Sequence, residues 1–225
     1  MRFLLLSLSL CLASCTGGTR PSDGIHIRSD DWPTAAAYGF AVSPIAANAL
    51  VTDSAEAAAS FTNDFYAALL VSMSGATLVS PSQTLGRLNA AGPDAHSRLR
   101  SVRAKLYQND PIAPEVLRSL ARDVQHRYLL VGWLEEGELE SVQGQEVSTP
   151  GGGTQNTVVH GFIYAEVDGL AAAVILDLQT SEIMWRGTAT YDTGLLYGKE
   201  GENREQLDRT RAAAAMTLAD YISQQ

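Results

Sequence analysis

The sequence predicts an α/β (α+β) domain built on a single mixed β-sheet, with helices packed mainly on one face. Two observations support this prediction. Segments with the four-residue apolar spacing of amphipathic helices alternate with short runs of β-branched and aromatic residues. In addition, residues 171–191 contain two such runs on either side of a polar stretch, which is typical of a two-stranded hairpin. The predicted order of elements is β-α-β-α-α-β-β-β-β-α.

The composition is that of an acidic globular protein. The chain has 225 residues, of which 45% are hydrophobic and 18% are charged, and its formal net charge is −9. A chain of this length can form one stable core without disulfides or metal ions. Because an acidic surface repels polyanions, we expect no nucleic-acid partner. The simplest interpretation of the acidity is solubility.

The amino terminus has the pattern of a secretory signal. Arg2 precedes the apolar run 3–12, which is too short to span a bilayer as a stable helix. The run leads into Leu12-Ala13-Ser14-Cys15, which closely resembles the lipobox of bacterial lipoproteins. The resemblance implies cleavage before Cys15, a diacylglyceryl group on its sulfur and acylation of the new amine, as with palmitate. The alternative is a plain secretory signal that is cleaved elsewhere.

The lipobox resemblance also implies a location. Two or more acyl chains anchor a protein stably, so we expect membrane attachment through Cys15. In well-studied lipoproteins an Asp after the Cys retains the protein in the inner membrane. Thr16 stands there instead, which favours the outer membrane, with the domain facing the periplasm.

The chain therefore divides into three predicted parts. Residues 1–14 are the lipoprotein signal peptide, residues 15–35 are the lipidated Cys and a flexible polar tether, and residues 36–225 are the periplasmic α/β domain. The chain has two cysteines. Cys11 leaves with the signal and Cys15 carries the lipid, so the mature domain has no thiol for a disulfide, a metal site or catalysis.

The domain begins with a predicted strand–helix–strand unit. The first strand covers 37–45 and the second covers 76–79. The helix between them starts at Asp53, where Glu56 completes a capping box. Such a unit implies a right-handed parallel crossover. The apolar stripe of the helix repeats every four residues: Ala57, Phe61, Phe65, Leu69 and Met73.

Two helices and a central strand come next. The first helix covers 94–108, and the second starts at Pro114 and leads into a strand over 127–134. That strand is apolar on both faces, which predicts a central position. Four basic residues of the first helix are predicted to face outward: Arg98, Arg100, Arg103 and Lys105. They form either a solvated helix face or a docking site for an acidic partner or lipid head groups.

Polar segments and strands alternate in the last third of the chain. Residues 135–140 are an acidic run that we expect to be exposed, and residues 141–156 are a long polar loop. A strand over 158–167 ends at the turn signal Asp168-Gly169. The hairpin 171–191 follows, and then a helix to residue 223. The predicted buried face of the second hairpin strand carries Ile183, Trp185, Ala189 and Tyr191.

Three features coincide in this chain: the lipobox, a helix that leads into HRYLLVGWL, and a later LDLQTSEIMWRG. Together they resemble a loose group of envelope lipoproteins. The group includes the outer-membrane activators of penicillin-binding proteins, the curli-secretion lipoprotein and the amino-terminal domain of the Tol translocation protein. The resemblance implies a non-enzymatic domain that binds other envelope proteins. The structural motif that it assigns here consists of Tyr128, Gly132, Asp177, Thr180 and Trp185.

No motif typical of catalysis or metal binding is present in the sequence. A nucleophile elbow, a phosphate loop and a dinucleotide fingerprint are all absent. The four histidines lack metal-ligand spacing: His26, His96, His126 and His160. We therefore predict no catalytic residue, no metal site, no cofactor and no enzymatic activity. A glycan-cleaving pair of carboxylates that are distant in sequence stays open.

Three functional hypotheses follow from the sequence. The first is a lipid-anchored, non-enzymatic periplasmic lipoprotein that binds an envelope protein and acts in envelope assembly or regulation. Its binding surface would be a sheet edge together with the segment 135–156. The second is a subunit of an oligomeric outer-membrane secretion or appendage complex, in which this chain could form a homo-oligomer. The third is an envelope hydrolase.

Overall fold

The structure is a computed structural model that describes residues 23–48, 51, 53–137, 142–143, 163–164, 168–193 and 200–224. The described helices are α1 (Trp32–Tyr38), α2 (Ser54–Ser72), α3 (Pro81–Ala91), α4 (Pro93–Gln108), α5 (Pro114–Val124) and α6 (Glu200–Ser223). The described strands are β1 (Gly24–Arg28), β2 (Phe40–Val42), β3 (Ala46–Ala47), β4 (Leu78–Val79), β5 (Tyr128–Glu136), β6 (Val142–Gln143), β7 (Ile163–Tyr164), β8 (Asp168–Asp177) and β9 (Ile183–Asp192). This order adds β1, α1, β3, α3 and β6 to the predicted elements. Most of the predicted strand 158–167 lies outside the described residues.

Seven strands form one mixed sheet in the order β1-β9-β8-β5-β2-β4, and β3 also pairs with β5. β5 is parallel to β2 and, further along, to β3, whereas its other neighbour β8 is antiparallel. β8 and β9 form the predicted hairpin, and β2 and β4 are parallel, as the strand–helix–strand pattern predicts. The α/β class and the mixed sheet are therefore confirmed. β6 and β7 form a separate two-stranded sheet.

Helices cover both faces of the large sheet, which corrects the prediction that they pack mainly on one face. α1, α2 and α6 form one core with Leu130 and Leu134 of β5. α3, α4 and α5 form a second core with Leu129 and Val131 on the opposite face of the same strand. The sequence of β5 explains this arrangement. A strand that is apolar on both faces has to be covered on both to exclude water.

The segment predicted as a flexible tether contains regular structure from residue 24 onward, which corrects that part of the prediction. β1 is an edge strand that pairs with β9. In α1, Trp32 is fully buried and its ring centroid lies 6.4 Å from that of Phe40. The predicted first strand is also shorter than expected, because α1 extends to Tyr38 and β2 begins only at Phe40.

Asp168 and Gly169 lie inside β8 and not in a turn, which corrects another prediction. Gly169 is paired with Tyr191 on β9. A Cβ atom on Gly169 would lie 2.0 Å from Cζ of Tyr191. Gly169 is therefore required because the ring of Tyr191 lies against the backbone of β8. The glycine does not serve a turn here.

The predicted alternation of β9 holds from Trp185 onward but is wrong for Ile183. Trp185 lies in the core with α1, α2 and α6, whereas Ile183 packs against the opposite core. The cause is an irregularity in the pairing with β8. Ile175 is opposite Trp185, but Leu176 is opposite Ile183, so Met184 is an extra residue in β9. Such a bulge reverses the alternation of side chains at that point.

Candidate functional site

The residues singled out in the sequence are spread over the domain. Cys15 lies outside the described residues. Trp185 is fully buried in the core. Gly132 lies in the middle of β5, where a Cβ atom would come within 2.5 Å of Cδ1 of Ile45. The three other motif residues lie where β5 begins and β8 ends, and we call this region the motif end: Tyr128, Asp177 and Thr180.

Asp177 organises the motif end. Its Oδ1 accepts hydrogen bonds from the backbone N–H groups of Gln179 at 2.8 Å and Thr180 at 3.2 Å. Its Oδ2 accepts from Nε of Arg127 at 2.9 Å and Nη2 at 2.7 Å. Burial alone would raise the pKa of Asp177, but these hydrogen bonds outweigh burial and lower the pKa below its ordinary value of 3.8. The motif end therefore fixes the β8–β9 turn, which is a structural role.

We expect Asp177→Asn to lower the free energy of unfolding by about 1–3 kcal/mol at neutral pH, since it removes a charged acceptor from Arg127. The pKa of Asp177 is lowered in the folded state. The stabilisation is therefore complete above the unfolded-state pKa and is lost as the pH falls through the lower folded-state pKa. Urea unfolding of both proteins across the acidic range tests this. A stability difference that persists unchanged at the lowest pH would contradict it.

The opposite end of β5 carries a buried ionic cluster that we call the neck, consisting of Glu136, Tyr191 and Arg211. Oε1 of Glu136 accepts hydrogen bonds from Nε and Nη2 of Arg211 at 2.9 and 2.6 Å. The same oxygen accepts from the hydroxyl of Tyr191 at 2.9 Å. Burial and the adjacent charge of Glu136 raise the pKa of Tyr191, so the phenol stays a donor. The neck therefore connects the carboxyl ends of β5 and β9 to α6.

The neck corrects the prediction of an exposed acidic run 135–140 at its first two residues, whereas residues 138–140 lie outside the described part of the chain. Glu136 is buried, and Glu135 accepts a hydrogen bond from Nε1 of Trp133 at 2.7 Å. The neck could not have been predicted from local pattern, because Arg211 is 75 residues from Glu136. Glu135, Glu136 and Asp168 line a cavity of about 150 Å³. Ligand sites usually measure about 300–1,000 Å³.

A larger depression of about 390 Å³ lies between α3, α4 and the segment that joins β2 to β3. We call it the Arg103 pocket. Arg103 is half-buried there, and its Nη2 donates to the carbonyl oxygen of Pro44 at 2.7 Å. Its Nε atom is buried without a hydrogen-bond partner, and burial lowers the pKa of Arg103 to about 10. The residues that line the pocket are Pro44, Ile45, Leu85, Leu88, His96, Leu99, Arg100 and Arg103.

The pocket corrects the prediction that four basic residues of α4 share one outward face. Arg98 is paired with Asp123 of α5 at 2.7 Å, and Lys105 donates to the carbonyl oxygen of Pro111 at 3.1 Å. Of the four basic residues, only Arg100 is exposed. A sequence signal for the burial of Arg103 exists: it follows Leu99 by four residues and precedes Leu106 by three, which is core spacing.

The described part of the chain contains no group of three or more His, Cys, Asp or Glu side chains that could hold a metal ion. His26 contacts Oγ1 of Thr188, His96 contacts Oδ1 of Asn89 and His126 contacts the carbonyl oxygen of Tyr128. His160 lies outside the described residues. Among the described helices, none has the length and apolar character needed to cross a membrane.

No protein-family model matches the sequence, and no curated protein matches it. Among solved structures, the chain is similar to the PelC dodecamer from Paraburkholderia phytofirmans, with 14% identity over 83% of this chain and 89% of that one, at a TM-score of 0.36. A point variant of the same protein gives 15% identity over 83% and 91%, at 0.35. Lipoprotein GNA1162 from Neisseria meningitidis gives 12% identity over 76% and 94%, at 0.41. These are coarse likenesses of fold, and they assign neither a site nor an activity.

Proposed function

We propose that the protein is a lipid-anchored, non-enzymatic lipoprotein of the bacterial outer membrane whose periplasmic domain binds another envelope protein. The anchor is Cys15, within the segment that resembles a lipobox. The observation that carries the binding role is the Arg103 pocket, where a half-buried guanidinium lines an open depression. None of the described residues places a carboxylate against Arg103. An anionic group of a bound protein would therefore compensate the charge of its guanidinium.

The hydrogen bonds of the neck carboxylate, Glu136, favour a binding role over hydrolysis. General acid–base catalysis needs a carboxyl group that can reach a substrate and exchange a proton with it. Glu136 is instead held by Arg211 and Tyr191, and the adjoining cavity of about 150 Å³ is small for a glycan or peptide substrate. These contacts suit a rigid support better than a reaction centre.

The second candidate function is a subunit of an oligomeric envelope complex, and exposed apolar side chains favour it. α2 and α6 run side by side, with Arg204 bound to Glu56 near one pair of ends and Ser72 bound to Asp220 near the other. This layer carries three exposed large apolar residues, which are Leu70, Val71 and Met216 at 49%, 80% and 56% exposure. Large apolar side chains that are exposed on a helix layer can be buried against another subunit.

Site-specific crosslinking in cells tests the proposal. A photo-crosslinking amino acid at Arg100, on the rim of the pocket, should yield one discrete adduct in the intact lipidated protein. The matched control is the same amino acid at Arg122, which is exposed on α5 and lies outside both the pocket and the α2–α6 layer. An adduct that contains only this chain, with a discrete larger species in detergent sizing, would support the oligomeric candidate instead. No adduct at Arg100, Val71 or Met216 would contradict both candidates.

A further inference from the structure

The charges of the residues that line the Arg103 pocket favour an anionic ligand. Two of its lining residues are cationic, which are Arg100 and Arg103, and none is acidic. Burial opposes the charged form of Arg103 and lowers its pKa. Elsewhere in the described part of the chain, half-buried Arg87 donates to the carbonyl oxygen of Val124, whereas Arg98 pairs with the carboxylate of Asp123 and Arg211 with that of Glu136. A carboxylate in the pocket would complete the same pairing for Arg103.

The apolar lining defines the other half of the occupant. Ile45, Leu88 and Leu99 are buried and form the wall of the pocket, whereas Leu85 on its rim is 40% exposed. Covering such a rim with an aliphatic side chain removes apolar surface from water. A volume of about 390 Å³ fits a few side chains of an extended segment and is too small for a folded domain. The pocket therefore suits a carboxylate next to an aliphatic side chain.

A peptide segment fits these features better than a membrane surface does. Binding to anionic lipid needs several cations that are exposed together, and each adds a small contribution. Arg98 and Lys105 of α4 are engaged with Asp123 and with the carbonyl oxygen of Pro111, and Arg103 is recessed. The chain also carries a net charge of −9, which a negatively charged leaflet would repel.

We propose that the Arg103 pocket binds an acidic–aliphatic peptide segment of the protein partner, with its carboxylate on Arg103 and Arg100 and its aliphatic side chain against Leu85 and Ile45. This inference rests on the proposed function and names the chemistry of the partner at that site. Arg100 supplies the exposed charge that first meets the segment. Arg103 supplies the recessed charge that selects a carboxylate over a neutral amide.

Peptide titration of the full-length protein in detergent micelles tests the inference. The probes are a fluorescent blocked peptide with one glutamate between two leucines and its counterpart with glutamine. We expect the glutamate peptide to bind the wild-type protein at least about tenfold more tightly, because a charged acceptor hydrogen-bonds more strongly than a neutral one. Arg103→Met should abolish this discrimination, and Arg103→Lys should restore part of it.

Two further variants separate binding from folding. Arg87→Met is the matched control, because Arg87 also donates to a backbone carbonyl, that of Val124 at 2.7 Å, but lies outside the pocket. It should keep the full discrimination. Leu85→Ala truncates an exposed apolar residue on the rim of the pocket, and it should weaken the binding of both peptides alike. If the two peptides bind the wild-type protein equally, or if Arg103→Met keeps the discrimination, the inference is wrong.

Other results would assign the pocket to a different ligand, or would reject the peptide inference while keeping the proposed function. Inorganic phosphate that competes as well as the glutamate peptide would identify a general anion site and overturn the peptide inference. Tighter binding to vesicles of anionic lipid, lost in Arg103→Met, would assign the pocket to a membrane and overturn it too. A partner crosslinked at Arg100 without peptide discrimination would leave the proposed function standing and reject only this inference.

Discussion

Cys15→Ser should move the protein from the membrane fraction to the soluble fraction and abolish its incorporation of labelled palmitate. A serine hydroxyl cannot replace the sulfur that would carry the diacylglyceryl group. Without lipid, attachment would depend on the apolar run 3–12, which is shorter than the roughly 20 residues of a membrane-spanning helix. One acyl chain gives marginal attachment and two or more give stable anchoring, so the effect should be close to all-or-none.

Cys11→Ser provides the matched control, since it makes the same chemical change four residues earlier in the same segment. The control should leave fractionation and labelling unchanged. Mass spectrometry of the wild-type protein should find a mature chain that starts at Cys15 and carries the acyl groups. If Cys15→Ser is still found with membranes and still takes up palmitate, the lipobox interpretation is wrong. A mature chain that starts elsewhere and carries no lipid would identify a plain secretory signal.

Local sequence pattern predicted the elements that are specified by residues close to one another in the sequence. The predicted stripe of α2 is buried from Ala57 to Leu69, whereas Met73 lies beyond the end of the helix and Asp53 makes no side-chain capping hydrogen bond. Pro114 starts α5, and the apolar run of β5 is central in the sheet. Asp177 accepts backbone hydrogen bonds in the turn after β8. In each case the signal and the structure that it specifies lie within a few residues of one another.

Features that depend on distant partners escaped prediction. β1 has a polar, unremarkable sequence and becomes a strand because β9, more than 150 residues later, offers it an edge. Glu136 belongs to an acidic run that has the composition of a solvated segment, but it is buried with hydrogen bonds from Arg211 and Tyr191. Tertiary pairing overrides local pattern for β1 and Glu136. The burial of Arg103 is different, because its spacing to Leu99 and Leu106 in α4 already indicates a core position.

Arg211→Met in the neck should cause a larger loss of folding stability than Asp177→Asn at the motif end. Arg211→Met removes the guanidinium that donates twice to the buried carboxylate of Glu136. Breaking a buried ion pair from one side costs about 3–5 kcal/mol, because the cation that offsets the burial of the carboxylate is lost. Urea unfolding should therefore show a much lower midpoint. Arg209→Met, two residues away in an exposed pair with Glu205, should leave the midpoint unchanged.

The double variant Glu136→Gln/Arg211→Met decides whether the charge or the packing causes the loss. Because it removes both charges together, it should recover a large part of the stability that Arg211→Met loses, and the coupling free energy should be favourable and well above 0.5 kcal/mol. Tyr191→Phe removes one hydrogen bond to Glu136 and should cost about 1 kcal/mol. If Arg211→Met unfolds at the wild-type midpoint, or if the double variant is no better than the single one, the neck does not stabilise the end of the sheet through its ion pair.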